Sequence, residues 1–236
     1  MRIDFKVFLL LVGVTLLFFW PVLKGFTPFP GDLLISEYNP WKTYSYLGFG
    51  PGGYPNKAQY FDVIRQLYPY KTLSMNLMKK GELPLWNPYN FSGAPLLADF
   101  QSAVFYPFNL FFLFLNEKYA WTILVIIQPF LAMLFTYLYT KKIGVSSLGS
   151  IMSAISYGFS YFMIVWLEFT IIGNVILWLP LILLSLEHLT ERFDLKWSII
   201  FVFSIASSLL AGHPQVFAYL FIFSLAYGIL KIVKED

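Results

Sequence analysis

The apolar positions of this chain do not alternate with polar ones; they run. Apolar stretches occupy 7–23, 119–140, 145–167, 171–189, 198–211 and 216–233. The longer ones reach the roughly 20 residues that a helix needs to cross a bilayer. The pattern predicts an all-α polytopic membrane protein of about six transmembrane helices. Arg2 and Lys6 precede the first run, no small-x-small cleavage site follows it, and Trp20-Pro21 stands where one would be expected. That run therefore reads as an uncleaved first span and not as a signal peptide. The fifth run is short and should extend into Trp197 or Gly212. Pro129 and Pro180 fall inside runs, which membrane helices tolerate when neighbours satisfy the freed carbonyl. Ser150, Ala154 and Gly158 form one row of small residues at every fourth position, and Ser204, Ser208 and Gly212 form another. Such rows let helix backbones approach closely, and they carry no chemistry in this reading.

Between the first two runs, 24–118 is mixed and rich in Pro, Gly and Tyr. The chain thus reads as a single membrane module over 1–236: a first span at 7–23, an external loop at 24–118 and five further spans over 119–233. Within the loop, 81–109 is the organising stretch. Its prolines and glycines rule out a continuous helix or central strand. Its Trp, Tyr and Phe content is too high for a disordered linker. An ordered, irregular loop packed on its own rings is expected, and such loops concentrate binding and catalysis. Upstream, Pro69 suits a first helical turn. Tyr70, Leu73 and Leu77 follow helical spacing, with Lys71, Lys79 and Lys80 elsewhere on the turn. This pattern favours an amphipathic helix on the membrane surface over one packed on the loop's own core. The piece 105–115 is too short to span and is expected to be re-entrant or interfacial. The stretch from Asp32 to Ser45 also resembles that from Asp62 to Ser74: an Asp, a Tyr six residues on, then Pro, an aromatic and Lys-Thr-x-Ser.

Composition agrees with the pattern. The chain is 58% hydrophobic and 12% charged, against roughly 25% charged in an average soluble domain. The formal charge of +3 is spread along the chain, so nucleic acid is not an expected partner. With no cysteine, thiolate metal sites and cysteine nucleophiles are excluded. Arg2 and Lys6, Lys141 and Lys142, Arg192 and Lys196, and Lys231 and Lys234 all fall on one side of a six-span arrangement. The opposite short turns lack Lys and Arg. Both termini are then cytoplasmic and the first loop extracytoplasmic.

This topology sorts the ionisable residues. Asp32, Glu37, Asp62, Glu82, Asp99, Glu117, Glu168 and His213 lie outside, at a boundary where partial desolvation makes a carboxylate a useful base. Each has a structural alternative. Asp32 follows Pro-Gly and suits a turn; Asp62 suits a helix cap; Asp99 suits a hydrogen-bonded loop brace; Glu168 and His213 border spans. Paired aspartates with His213 leave room for a divalent metal, but no ligand spacing specifies one. Gly48-Phe-Gly-Pro-Gly-Gly53 lacks the Lys-Ser/Thr ending of a phosphate loop and reads as a turn. Asn90-Phe-Ser92 fits a glycosylation sequon, a pattern frequent by chance.

Pro30-Gly-Asp32-Leu-Leu, Gly81-Glu-Leu-Pro-Leu-Trp-Asn-Pro-Tyr89, Gly93-Ala-Pro-Leu-Leu, Gln101-Ser-Ala-Val-Phe-Tyr-Pro107 and Gly212-His-Pro-Gln215 resemble the YfhO family of bacterial membrane proteins. That family is similar to the GT-C glycosyltransferases, multi-span enzymes with an essential acid in the first external loop. The resemblance implies transfer of a sugar from a polyprenyl-phosphate carrier to an extracytoplasmic envelope polymer, at the bacterial cytoplasmic membrane. It ranks Asp32 first as catalytic base and Asp62 second. Trp86, Asn87, Asp99, Gln101, Glu168, His213 and Gln215 are then expected to bind substrate, with Lys79 or Lys80 available to the lipid phosphate. Members of the family are usually longer, so this sequence is expected to be the N-terminal part of the fold. The alternative is a non-catalytic polytopic protein, either a lipid or solute transporter or an envelope-assembly scaffold. A transporter would place ionisable residues at mid-membrane, and the middles of these runs contain none.

Overall fold

A computed structural model describes residues 4–46, 48–53 and 58–235. The protein is mostly helical. Helix α1, Phe5–Phe18, is capped by Asp4, whose carboxylate accepts from the Lys6 amide. It runs into a 3-10 turn, Trp20–Lys24, that Gly25 ends at φ +89. The loop contributes α2 (Asp32–Glu37), α3 (Tyr68–Lys79), a two-stranded antiparallel hairpin of β1 (Trp86–Asn87) and β2 (Ala94–Pro95), and α4 (Phe111–Phe114). Then follow α5 (Glu117–Lys142), α6 (Ser147–Gly158), α7 (Tyr161–Val165), α8 (Ile172–Ile176), α9 (Leu179–Glu191), α10 (Leu195–Leu210) and α11 (Pro214–Glu235).

Every long apolar run of the sequence has become helix, with local reasons for each boundary. Asn116, Ser146, Ser160 and Asp194 cap α5, α6, α7 and α10 through side-chain oxygens, satisfying amides that a helix start leaves open. Glu117 stands in the first turn of α5 and Lys141 and Lys142 in its last, both favourable against the helix dipole. Two runs are broken. The third divides at Phe159-Ser160, and the fourth divides into α8 and α9 with Pro180 in the first turn of α9. Proline is compatible with that place because the amide it lacks would be unpaired there anyway. Pro180 is therefore a helix starter, whereas Pro129 does lie inside α5.

Four segments are long and apolar enough to cross a membrane: Glu117–Lys142, Ser147–Val165, Ile172–Glu191 and Pro214–Val233; Phe5–Phe18 and Leu195–Leu210 are shorter apolar helices. The central positions belong to α5 and to α8–α9, whose apolar windows are 56% and 67% buried, against 17% for α11. Both small-residue rows are buried. At Gly158 an added Cβ would stand 2.4 Å from Met133 Cγ and 2.8 Å from the Pro129 carbonyl, so only glycine lets α6 approach α5 this closely. In the other row the Ser208 hydroxyl donates to the Val175 carbonyl at 3.0 Å.

The loop is not a tail. Leu33, Val63, Leu67, Met75, Val104, Tyr106 and Phe112 share one buried cluster with Trp121, Leu124, Ile171, Val175 and Trp178 of the helices. Large apolar side chains contribute about 1.5–3 kcal/mol each when fully buried, which fixes the loop on the helical body. The piece 105–115 belongs to this interior: Phe112 is fully buried and Phe108 stacks on Trp178 at 5.9 Å.

Two expectations about the loop fail in instructive ways. The buried side of α3, with the π-helical turn Val63–Leu67 that leads into it, runs Val63, Leu67, Lys71, Ser74 and Met75. It packs on the loop's own core, and Tyr70, Leu73 and Leu77 flank it half-buried. A buried lysine interrupts the apolar stripe, so the spacing pointed to the wrong face. The two similar stretches also differ in conformation. After α2, Tyr38 turns to extended backbone, whereas Tyr68 and Pro69 open α3 as continuous helix.

Candidate functional site

The loop end of the helical body holds a cleft of about 450 Å³. Phe18, Phe19 and Val22 line it from the end of α1, Phe26 to Pro30 from the segment that follows, and Ile164, Leu167 and Glu168 from the α7–α8 connection. Asp32 and Tyr60 complete the lining. Asp32 is the first residue of α2, and Glu168 sits in a 3-10 turn closed by Thr170 at φ +56. Residues far apart in sequence thus bring two carboxylates to one cavity. The wall between them is held by specific bonds. Trp121 Nε1 donates to the Pro28 carbonyl at 3.0 Å, and Lys118 Nζ to the Gly25 carbonyl at 3.2 Å. The Tyr60 hydroxyl donates to the Val165 carbonyl at 3.3 Å. Burial, with a smaller contribution from the Glu168 charge, pushes the Tyr60 phenol up to about 12. It remains a protonated donor at neutral pH.

Two further hollows are present. One, of about 280 Å³, shares Thr27 and Phe29 with the cleft and adds Tyr68, Lys118 and Trp121. The other, of about 270 Å³, lies between α1 and α5 and is lined by Val12, Thr15, Leu16, Ile123, Ile126, Ile127 and Phe130. Thr15, its one polar residue, returns its hydroxyl to the Leu11 carbonyl. This furrow therefore presents an apolar wall.

The remaining candidates lie outside the acid cleft. Asp62 is exposed, and its side chain makes no capping bond. Asp99 caps the short turn Phe100–Ser102, accepting from the Gln101 amide at 3.0 Å and from Gln66 Nε2 at 3.2 Å; Gln66 also donates to Gln101 Oε1 at 2.8 Å. That is a loop brace. Trp86 lies against Gly93, where an added Cβ would come within 2.5 Å of the ring and φ is +103. Asn87 is buried and half of Trp86 is exposed. His213 Nδ1 accepts from the Val216 amide at the start of α11, and burial lowers its pKa below the usual histidine value. Gln215 donates to the Tyr219 hydroxyl. Gly212 before them packs on Ala103 and the Phe100 carbonyl, beside the Asp99 brace and not at the cleft. Lys79 and Lys80 are exposed at the end of α3. Asn90, of the sequon, donates to the Tyr70 hydroxyl.

Several participants had no sequence signal. Tyr60 is one aromatic among many. Lys71 is completely buried, with its ammonium donating to Asn109 Oδ1 at 3.0 Å. Desolvation pushes its pKa down to about 7. Asn109 in turn donates to the Ala103 carbonyl, between the Asp99 brace and α4. The Tyr106 hydroxyl donates to Asn174 Oδ1 at 3.1 Å, tying the loop to α8. Among the described residues no three of His, Asp and Glu gather closely enough to hold a metal ion. No protein-family model, curated protein or solved structure matches this chain.

Proposed function

We propose that this chain is the N-terminal membrane module of a glycosyltransferase similar to the YfhO family and the GT-C enzymes, using a polyprenyl-phosphate-linked sugar and an envelope polymer as acceptor. One observation carries the reading: Asp32 and Glu168 line a single cleft at the loop end of an apolar helical body. A carboxylate in this cleft removes the proton from an acceptor hydroxyl, and the freed oxygen bonds to the anomeric carbon. The bond from that carbon to the phosphate oxygen breaks, and the lipid phosphate leaves with the electron pair. Asp32 is the base; Glu168 orients the acceptor hydroxyl. Asp62, outside this lining, is not needed for the step. The apolar furrow between α1 and α5 suits a prenyl chain, and Lys118, at the hollow that shares Thr27 and Phe29 with the cleft, suits its phosphate.

The direct test is transfer by the full-length protein carrying Asp32→Asn, Glu168→Gln or both. Loss of a general base costs about 10²–10⁴-fold in rate, so Asp32→Asn should nearly abolish turnover while the protein stays folded, asparagine having nearly the same shape as aspartate. Near-normal turnover in the double variant would remove the proposal.

The same reading places six helices across the membrane with both termini cytoplasmic. Ser45 and Ser92 are exposed on the loop, and Phe193 is 82% exposed between α9 and α10. Cysteines placed at Ser45 and Ser92 should react with an impermeant thiol reagent in intact cells, and one at Phe193 should not. The opposite labelling would invert the orientation.

A further inference from the structure

A second polar cavity lies within the loop. It has a volume of about 300 Å³ and is formed between α3 and the β1–β2 hairpin. Arg65, Tyr70, Asn76, Asn87, Tyr89 and Asn90 supply its functional groups, and no carboxylate is in the lining. We infer that this hollow is a saccharide-binding site, serving the acceptor side of the proposed transferase.

Three features point to a sugar chain. First, Asn87 is only 3% exposed. Among the described residues its side chain makes one hydrogen bond, its Oδ1 accepting from the Tyr89 amide at 2.9 Å. Its Nδ2 group makes no hydrogen bond among the described residues and is open to whatever fills the cavity that Asn87 lines. Second, the groups around it are pre-positioned and still have capacity. Arg65 donates from Nε to the Tyr38 hydroxyl at 2.6 Å, and its guanidinium lies 4.4 Å over the Phe61 ring. It makes no salt bridge among the described residues, so its terminal nitrogens remain as donors. Asn76 is fixed by donating to Glu117 at 3.0 Å, and its carbonyl remains as an acceptor. Asn90 and Tyr70 hold each other. Third, Tyr89 is 81% exposed at the rim, a flat ring with a polar tip.

Amides and hydroxyls that both donate and accept match the vicinal hydroxyls of a sugar, and an open ring face matches its C–H face. A single cation is too little for a phosphorylated peptide or a nucleotide, which recruit clusters of basic groups. Tyr60 faces the acid cleft and Arg65, five residues on, faces this hollow. The two linings thus draw on one short segment of the loop. Binding in the hollow stands by itself; assigning the bound chain as acceptor rests on the transferase reading.

The test uses the full chain in lipid nanodiscs, a printed array of linear neutral and anionic oligosaccharides, and saturation-transfer NMR on the best-retained one. Wild-type protein should retain at least one saccharide. Tyr89→Ala, at a side chain too exposed to disturb folding, should weaken it about tenfold or more, a loss of about 1.4 kcal/mol. Tyr89→Phe should largely restore it, and Asn87→Ala should lose it as well. Asp32→Asn should bind the saccharide as wild type does. Failure of the folded protein to retain any saccharide, or undiminished retention by Tyr89→Ala, would overturn the site. Binding with wild-type affinity alongside undisturbed transfer in the Asp32→Asn, Glu168→Gln double variant would instead leave the hollow standing and remove the Asp32–Glu168 cleft as the catalytic centre.

Discussion

The two ends of the helical body treat charge differently. At the end opposite the loop, Glu187 of α9 is almost fully buried and accepts from Lys231 at 3.0 Å and from the Tyr227 hydroxyl, which in turn accepts from Tyr139. Lys142 and Glu191 meet nearby at 2.6 Å. These are both of the salt bridges between described residues, and they tie α5, α9 and α11 together. At the loop end, Glu117, Asp99 and Lys71 are held by neutral partners. Glu117 accepts from the Tyr68 hydroxyl and Asn76, Asp99 from amides, and Lys71 donates to an amide carbonyl. Two of the carboxylates there, Asp32 and Glu168, line a cavity. A carboxylate that lines a cavity is placed to meet a substrate. The far end therefore reads as a clamp and the loop end as the place for chemistry.

The contrast predicts that stability and turnover separate by position. Glu187→Ala removes the acceptor shared by Tyr227 and Lys231. Losing the acceptor that holds these half-buried donors costs about 1–3 kcal/mol, seen as a lower midpoint of thermal unfolding. Transfer per folded molecule should not change. Asp32→Asn should show the reverse. If Glu187→Ala abolished transfer in folded protein while leaving the midpoint alone, the division of labour between the ends would be wrong.

Lys71 sharpens the comparison, because its counterpart Lys231 has a carboxylate and it has only an amide. Its pKa is about 7 in the folded protein and 10.5 in the unfolded reference. Between those values the unfolded chain holds the proton and the folded chain does not, so stability rises with pH across that window. A single such group gives a slope of up to about 1.4 kcal/mol per pH unit. Unfolding midpoints at about pH 7.5 and about pH 8.5 should differ accordingly, with the higher value at the higher pH, and Lys71→Met should flatten the difference. An equal slope in that variant would assign the effect to another group.

The helical body was legible because long apolar runs leave a chain few other structures. Each run became helix, and one small-residue row marked the close approach of α6 to α5 at Gly158. The loop was legible only as an ordered aromatic stretch. Its register depends on Lys71, Asn109, Tyr106 and Asn174, polar residues buried by mutual hydrogen bonds, and hydropathy spacing assigns such residues to the surface. The same limit applied to the cleft. Asp32 stood out beside the first span, and Glu168 stood out beside a later one. That they share a cavity with Tyr60 is a property of the folded chain, set by how the α7–α8 turn meets the segment after α1. Asp62 stood second to Asp32 because the surrounding residues repeat, but the repeat does not extend to conformation.

The smallest effect is expected at Asp99, where the distinction between brace and base is finest. Its carboxylate accepts from the Gln101 amide and from Gln66 Nε2, the arrangement of a cap. An asparagine Oδ1 keeps the cap bond from the Gln101 amide and loses only the bond that Gln66 Nε2 makes to the second carboxylate oxygen; as caps the two residues are about equal. Asp99→Asn should therefore cost less stability than the about 1 kcal/mol expected of Asp99→Ala. A general base responds in the opposite order of severity. Asparagine cannot take a proton, so a catalytic Asp99 would lose transfer in Asp99→Asn as fully as in Asp99→Ala, with no change in the unfolding midpoint. Wild-type turnover in Asp99→Asn, with a modest loss of stability in Asp99→Ala, keeps the chemistry in the Asp32–Glu168 cleft. Loss of turnover in Asp99→Asn would move it to the other side of the loop, beside Gly212 and His213, and the acid cleft would then be an entrance and not the centre of reaction.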